Sequence, residues 1–123
     1  MIKQLASFLV LYTNDLQKTI NFYEKFGIEI AEQDERKCVF HLGKTEIHFN
    51  TREDIPEYQY VTQGKQGAGT LLYVAVENVE EAYTIVKCIG GTIKAEIEER
   101  PWHTKEFLFQ DPNGYNIVFY EEL

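Results

Sequence analysis

Few residues in this 123-residue sequence have the types and spacing for chemistry. A nucleophile needs a base beside it, and a catalytic metal needs about three protein ligands. Cys38 and Cys88 lie far apart, in no metal-type spacing and no disulfide framework. The sequence has no Ser-His-Asp pattern, no Gly-rich phosphate loop and no supported Cys-His pair. Glu121-Glu122 has the form of an acid–base pair, but glutamates at a chain end are more often solvated. His41 and His103 read as structural or exposed. His48 differs, because it stands in the alternating stretch Glu46-Ile47-His48-Phe49-Asn50. Its imidazole there can hydrogen-bond or protonate a ligand, or serve as a half-buried, hydrogen-bonded histidine.

Aromatic side chains are the other resource. The chain has 8 Tyr, 8 Phe and a single Trp, enough to line a cavity or to fill a β-rich core. Trp102 can stack on a planar ligand group or pack at a strand edge. The net charge of −8 argues against nucleic acid and against an anionic membrane surface, and makes a cationic ligand electrostatically welcome. No run is long enough to span a bilayer and no signal peptide is recognisable, so a cytoplasmic location with reduced thiols is expected.

These residues must be positioned by a repeat. "SFLVLY" (Ser7 to Tyr12) reads as a buried strand. A helix follows, capped by Asn14 or Asp15, with Leu16, Ile20, Tyr23 and Phe26 on one face and Gly27 at its end. Strands are expected at Ile28 to Glu32, Lys37 to Leu42 and Thr45 to Asn50, the last two joined at Gly43-Lys44. The order then recurs. It comprises a strand at Leu71 to Val76, a helix capped by Asn78 with Glu81 as its capping-box partner, and strands at Thr92 to Ile97, Lys105 to Phe109 and Tyr115 to Glu121. Asp15 recurs as Asn78, Leu16 as Val79, Gly27 as Gly90, Ile47 as Ile117 and Phe49 as Phe119. The chain therefore reads as one α+β domain, residues 1–123, of two tandem βαβββ modules, at about 5–50 and 69–122. The polar loop 51–68 reads as a linker or a mobile flap.

Each module has one helix for one sheet face, so the opposite faces are left to curl a mixed sheet around a cleft. Alternation sends Ile47, Phe49, Ile117 and Phe119 under the helices. Glu46, His48, Asn50, Asn116, Val118 and Tyr120 then face the cleft, and Phe8, Tyr12, Leu71 and Tyr73 complete its lining. Between the last strands, Asp111-Pro112-Asn113-Gly114 is a turn: proline pre-sets φ, and Asn113-Gly114 tolerate positive φ.

"NDLQKTINFYEKFG", "VENVEEAYTIVKCIGG" and "QDPNGYNIVFYEE" resemble the vicinal oxygen chelate superfamily, which includes glyoxalase I, bleomycin-resistance proteins, fosfomycin-resistance enzymes and extradiol dioxygenases. The resemblance covers nearly the whole chain and implies the fold more strongly than any one chemistry. It places metal ligands, where members have them, at Phe8, near His48, at Leu71 and at Val118. Phe, Leu and Val offer no lone pair, which implies no metal and no cofactor. Pro101 to Phe107 is similar to the metal-free bleomycin-resistance branch, with His103 where that branch has a glycine. The resemblance also implies a homodimer with clefts near its interface.

Three functions stay open. The first is a metal-free protein that sequesters a cationic or aromatic small molecule, with Phe8, Tyr12, His48, Asn50, Leu71, Tyr73, Trp102, Val118 and Tyr120 as ligand-binding residues. The second is a lyase or isomerase with His48 as general base. The third is a structural dimer whose cleft is filled.

Overall fold

The computed structural model describes residues 1–52 and 60–123. The flap reading of the connector falls in part on residues 53–59, outside the described residues. The first module runs β1 (Leu9–Thr13), α1 (Leu16–Glu24), β2 (Glu32–Gln33), β3 (Lys37–Leu42) and β4 (Thr45–Thr51). The second runs β5 (Leu72–Ala75), α2 (Val79–Cys88), β6 (Thr92–Arg100), β7 (Thr104–Gln110) and β8 (Asn116–Glu122). Each forms a four-stranded mixed sheet, in the orders β1-β4-β3-β2 and β5-β8-β7-β6. In both, the strand before the helix lies parallel to the last strand of its module. The two sheets stay separate and are not closed into a barrel.

Both helices start where an acceptor side chain meets free backbone donors. The Asp15 carboxylate accepts from the Lys18 N–H, and the Asn78 amide oxygen from the Glu81 N–H. Glu121 adds a second cap to α2, accepting from the Val79 N–H at 2.8 Å. That contact gives Glu121 a structural task in place of the solvated one expected of it. β2 is shorter than the expected Ile28 to Glu32, because Ile28 and Ile30 pack on the core from a loop. β6 runs past Ile97 to Arg100 through two register shifts.

Ile47 and Phe49 are fully buried beneath the helix side, in register with Leu9 and Leu11. Ile117 and Phe119 take the same place in the second sheet. The helix-side surfaces of both sheets belong to one apolar cluster. Phe26, just beyond α1, joins them: its ring meets Phe109 at 6.0 Å and Phe119 at 5.7 Å. Because that core occupies the helix side of each sheet, the opposite faces are covered by neither helix. Among the described residues no helix is long and apolar enough to cross a membrane.

The Asp111-to-Gly114 turn also joins the modules. Asp111 accepts from the Asn113 and Tyr115 N–H groups, both at 2.9 Å, and from the Tyr23 hydroxyl at 2.7 Å. The Asn113 amide bonds Thr13 and Thr19 of the first module. The Tyr115 hydroxyl accepts from the Tyr12 N–H and donates to the Tyr12 carbonyl, capping the free edge of β1. Of the expected pair Asn113-Gly114, only the glycine adopts positive φ.

Candidate functional site

The uncovered face of the first sheet carries a histidine held from two sides. His48 and Val10 are register partners, with Val39 on the other flank. Phe8, just before β1, stacks on the His48 imidazole with centroids 4.0 Å apart and planes 12° apart. Nε2 of His48 lies 2.7 Å from Oε2 of Glu46, whose other oxygen is 3.8 Å from exposed His41. A carboxylate on one ring nitrogen and an aromatic plane on the ring face fix the imidazole's orientation. Tyr12 and Asn50 sit opposite one another on the same face, both buried.

The uncovered face of the second sheet is organised around Glu106, which is only 4% exposed. Its Oε1 accepts from the Trp102 indole N–H at 2.9 Å and from the Thr104 hydroxyl at 2.7 Å. Its Oε2 accepts from the Tyr73 hydroxyl at 3.0 Å. Burial pushes this carboxyl up, but the three hydrogen bonds and the nearby Arg100 charge outweigh it and hold the acid below its usual range. Tyr73 in turn meets Tyr120, ring to ring, at 5.8 Å. Trp102 and Tyr73 remain largely exposed, whereas Val118, opposite Tyr73 in register, is buried.

Trp102 owes its position to a three-residue hairpin loop between Arg100 and Thr104. The His103 N–H bonds the Arg100 carbonyl at 3.0 Å, with Pro101 and Trp102 at the turn's centre. His103 has φ of 65°, the left-handed conformation that closes such loops and that glycine adopts most easily. His103 therefore holds a conformation that a glycine at this position would adopt without strain.

The expected site residues thus fall into two groups. Phe8, Tyr12, His48 and Asn50 share one face, and Tyr73, Trp102, Val118 and Tyr120 share another. Leu71, half exposed, lies at the junction of the modules, where it lines an apolar cavity of about 110 Å³ with Leu9, Leu11, Ile47 and Ile117. That cavity is too small for a drug-sized ligand, which needs about 300 Å³ or more. A larger groove, about 980 Å³, runs between α1 and the Asp111-to-Gly114 turn and includes none of the expected residues. Glu106 is the candidate side chain that sequence reasoning missed. The signal was available: in "TKEFLFQ", Phe107 and Phe109 alternate inward, which sends Glu106 to the face of Tyr120.

The four positions at which the resemblance places metal ligands hold Phe8, His48, Leu71 and Val118, so one donor side chain stands among three hydrocarbons. Among the described residues no three His, Cys, Asp or Glu side chains are grouped to hold an ion. The residues present do not fit the family's metal.

Comparison with known proteins agrees with the fold. No curated protein matches the sequence. A glyoxalase/bleomycin resistance protein/dioxygenase family enzyme from Burkholderia phytofirmans PsJN is similar at 21% identity, over 95% of this chain and 98% of that one, with a TM-score of 0.84. A glyoxalase-related enzyme from Fulvimarina pelagi is similar at 15% identity, over 97% and 89%, with a TM-score of 0.83. A bleomycin-binding protein, solved in complex with bleomycin, is similar at 18% identity, over 98% and 100%, with a TM-score of 0.69. At these identities the likeness is one of fold. The sequence itself matches a family model over residues 4–119, and on that match the chain belongs to the Glyoxalase/Bleomycin resistance protein/Dioxygenase superfamily.

Proposed function

We propose that this chain is a metal-free small-molecule-binding protein of its superfamily, which holds a cationic or aromatic compound without transforming it. The observation that carries this reading is the pairing of two facts about the uncovered faces. Hydrocarbon side chains stand at three of the four positions the family uses for metal. Around them, Phe8, Tyr73 and Trp102 expose large rings at 57%, 44% and 57%. Exposed rings on these two faces bind by removing apolar area from water, about 25 cal/mol per Å² buried, and need no leaving group.

The helix sides of both sheets share one apolar core, which supports a ligand cleft completed by a second copy. We place the cleft in a homodimer, with the His48 face of one protomer set against the Glu106 face of its partner. A cytoplasmic location follows from the same reading.

Trp102 is the single tryptophan, so its fluorescence reports on the site. Titration with bleomycin and with a hydrophobic carboxylic acid is expected to give saturable quenching by at least one of them. EDTA is expected to leave the thermal midpoint unchanged. A tightly held divalent ion per chain by elemental analysis, or a fluorescence signal indifferent to every compound, rejects the proposal. The second outcome is the one a filled, structural dimer produces.

One observation favours a second reading. Glu46 bound to Nε2 of His48 orients the imidazole as a general base is oriented. A lyase or isomerase using His48 would lose turnover, and keep ligand affinity, in His48→Ala.

A further inference from the structure

We propose that Glu106, with the rings of Trp102, Tyr73 and Tyr120, forms a subsite for an alkylated ammonium group. This rests on the binding function proposed above and names the ligand chemistry of one half of that site. A buried carboxylate is costly unless it is hydrogen-bonded, and Glu106 is satisfied three times over, by an indole, a phenol and a hydroxyl. Among the described residues no cation pairs with it directly: the Arg100 guanidinium is 2.8 Å from Oε2 of Glu98 instead. Glu98 stands opposite Glu106 in register and Glu122 opposite Thr104, so this face stays acidic despite Arg100.

The arrangement selects among cations. A carboxylate has about four acceptor positions, and three of these are taken within the protein. What Glu106 still offers is charge rather than a pair of hydrogen-bond acceptors. A guanidinium, which seeks a bidentate carboxylate, is therefore poorly served. A peralkylated ammonium has no N–H to satisfy, is weakly hydrated, and is attracted to aromatic ring faces. Trp102 and Tyr73 spend their polar atoms on Glu106 while their bodies stay exposed, and Tyr120 adds a third ring against Tyr73. The charge sits behind the rings and the rings meet the ligand.

The test uses the full chain and two probes of nearly equal shape: choline chloride and the neutral 3,3-dimethylbutan-1-ol. Ionic strength is matched with sodium chloride and binding is read from Trp102 fluorescence. The cation is expected to bind at least about tenfold more tightly than the alcohol, in line with a desolvated cation–π contact beside a charge. Glu106→Gln keeps the shape, removes the charge and is expected to abolish that preference. Because Glu106 is buried, Tyr120→Leu, which leaves the three donors to Glu106 in place, supplies an independent check, and is expected to weaken the cation at least about threefold while sparing the alcohol. Equal affinity for both probes, or a preference that survives both substitutions, overturns the inference. A chain that is blind to the ammonium but still binds a hydrophobic acid loses this subsite and keeps the proposed function. A chain that binds none of these compounds loses both.

Discussion

Replacing Tyr23 with phenylalanine tests whether the Asp111 turn holds the two modules together. Tyr23 is 1% exposed and its hydroxyl donates to Oδ2 of Asp111 at 2.7 Å. The ring remains in Tyr23→Phe, so no cavity opens and the effect isolates the hydroxyl. A hydrogen bond to a buried charged group contributes about 1.5–3 kcal/mol. Little replaces it, because the other donor to Oδ2, the Asn113 amide, stands at 3.4 Å. We expect a loss of about 2 kcal/mol, or a fall in thermal midpoint of about 6–10 °C for a chain of this length.

The pH dependence gives a second readout. Burial is the largest influence on Asp111 and raises its carboxyl above the ordinary value, against the hydrogen bonds from Tyr23, Tyr115 and Asn113. A carboxyl raised by folding contributes stability that is fully present below its unfolded pKa and is lost as pH rises through the folded one. In Tyr23→Phe one of the opposing bonds is gone, so the ionised form becomes costlier still. The penalty is therefore largest near neutrality and shrinks on acidification, as Asp111 becomes neutral. Urea unfolding followed by far-UV circular dichroism at about pH 7 and about pH 4 measures both quantities. A neutral-pH change under about 0.5 kcal/mol, or a penalty that does not shrink in acid, would falsify the reasoning.

Three further outcomes are expected. His103→Gly relieves a left-handed residue at φ 65° and should stabilise the chain by about 0.5–1 kcal/mol, read as a raised thermal midpoint; a lowered one contradicts the strain. Gly67→Ala sets a Cβ 2.2 Å from the Gly114 carbonyl oxygen and should destabilise by more than about 2 kcal/mol, whereas Gly27→Ala, with nothing within 4 Å, should cost about 1 kcal/mol of backbone strain alone; equal effects in urea melts would count against that packing. Glu106 behaves oppositely to Asp111. Burial raises its carboxyl, the bonds from Thr104, Trp102 and Tyr73 prevail, and its stabilising contribution is present above the ordinary glutamate pKa and lost as pH falls. Wild type should therefore lose its stability advantage over Glu106→Gln in acid melts, and an advantage that grows there refutes the assignment.

Much of this molecule was legible from residue order because periodicity is a local property. Alternation in "TEIHFNT" identified the buried side of β4, the helical spacing of Leu16, Ile20 and Tyr23 identified α1, and the repeat supplied the topology of both sheets. The same rule, applied to β7, would have found Glu106. It could not have found that Trp102 and Tyr73, 29 positions apart in the chain, converge on that carboxylate, because side-chain reach across β5, β8 and β7 depends on register. Nor could residue order tell which sides of the two sheets meet. That was decided by the bulk of Phe26 between the modules and by the Tyr23–Asp111 bond, contacts between residues distant in sequence. Sequence alone determined the two modules, their inner faces and the hydrocarbon side chains at Phe8, Leu71 and Val118. Only the tertiary structure decided that the helix sides of both sheets merge into one core, because which surfaces pack is settled by long-range complementarity of shape and hydrogen bonding.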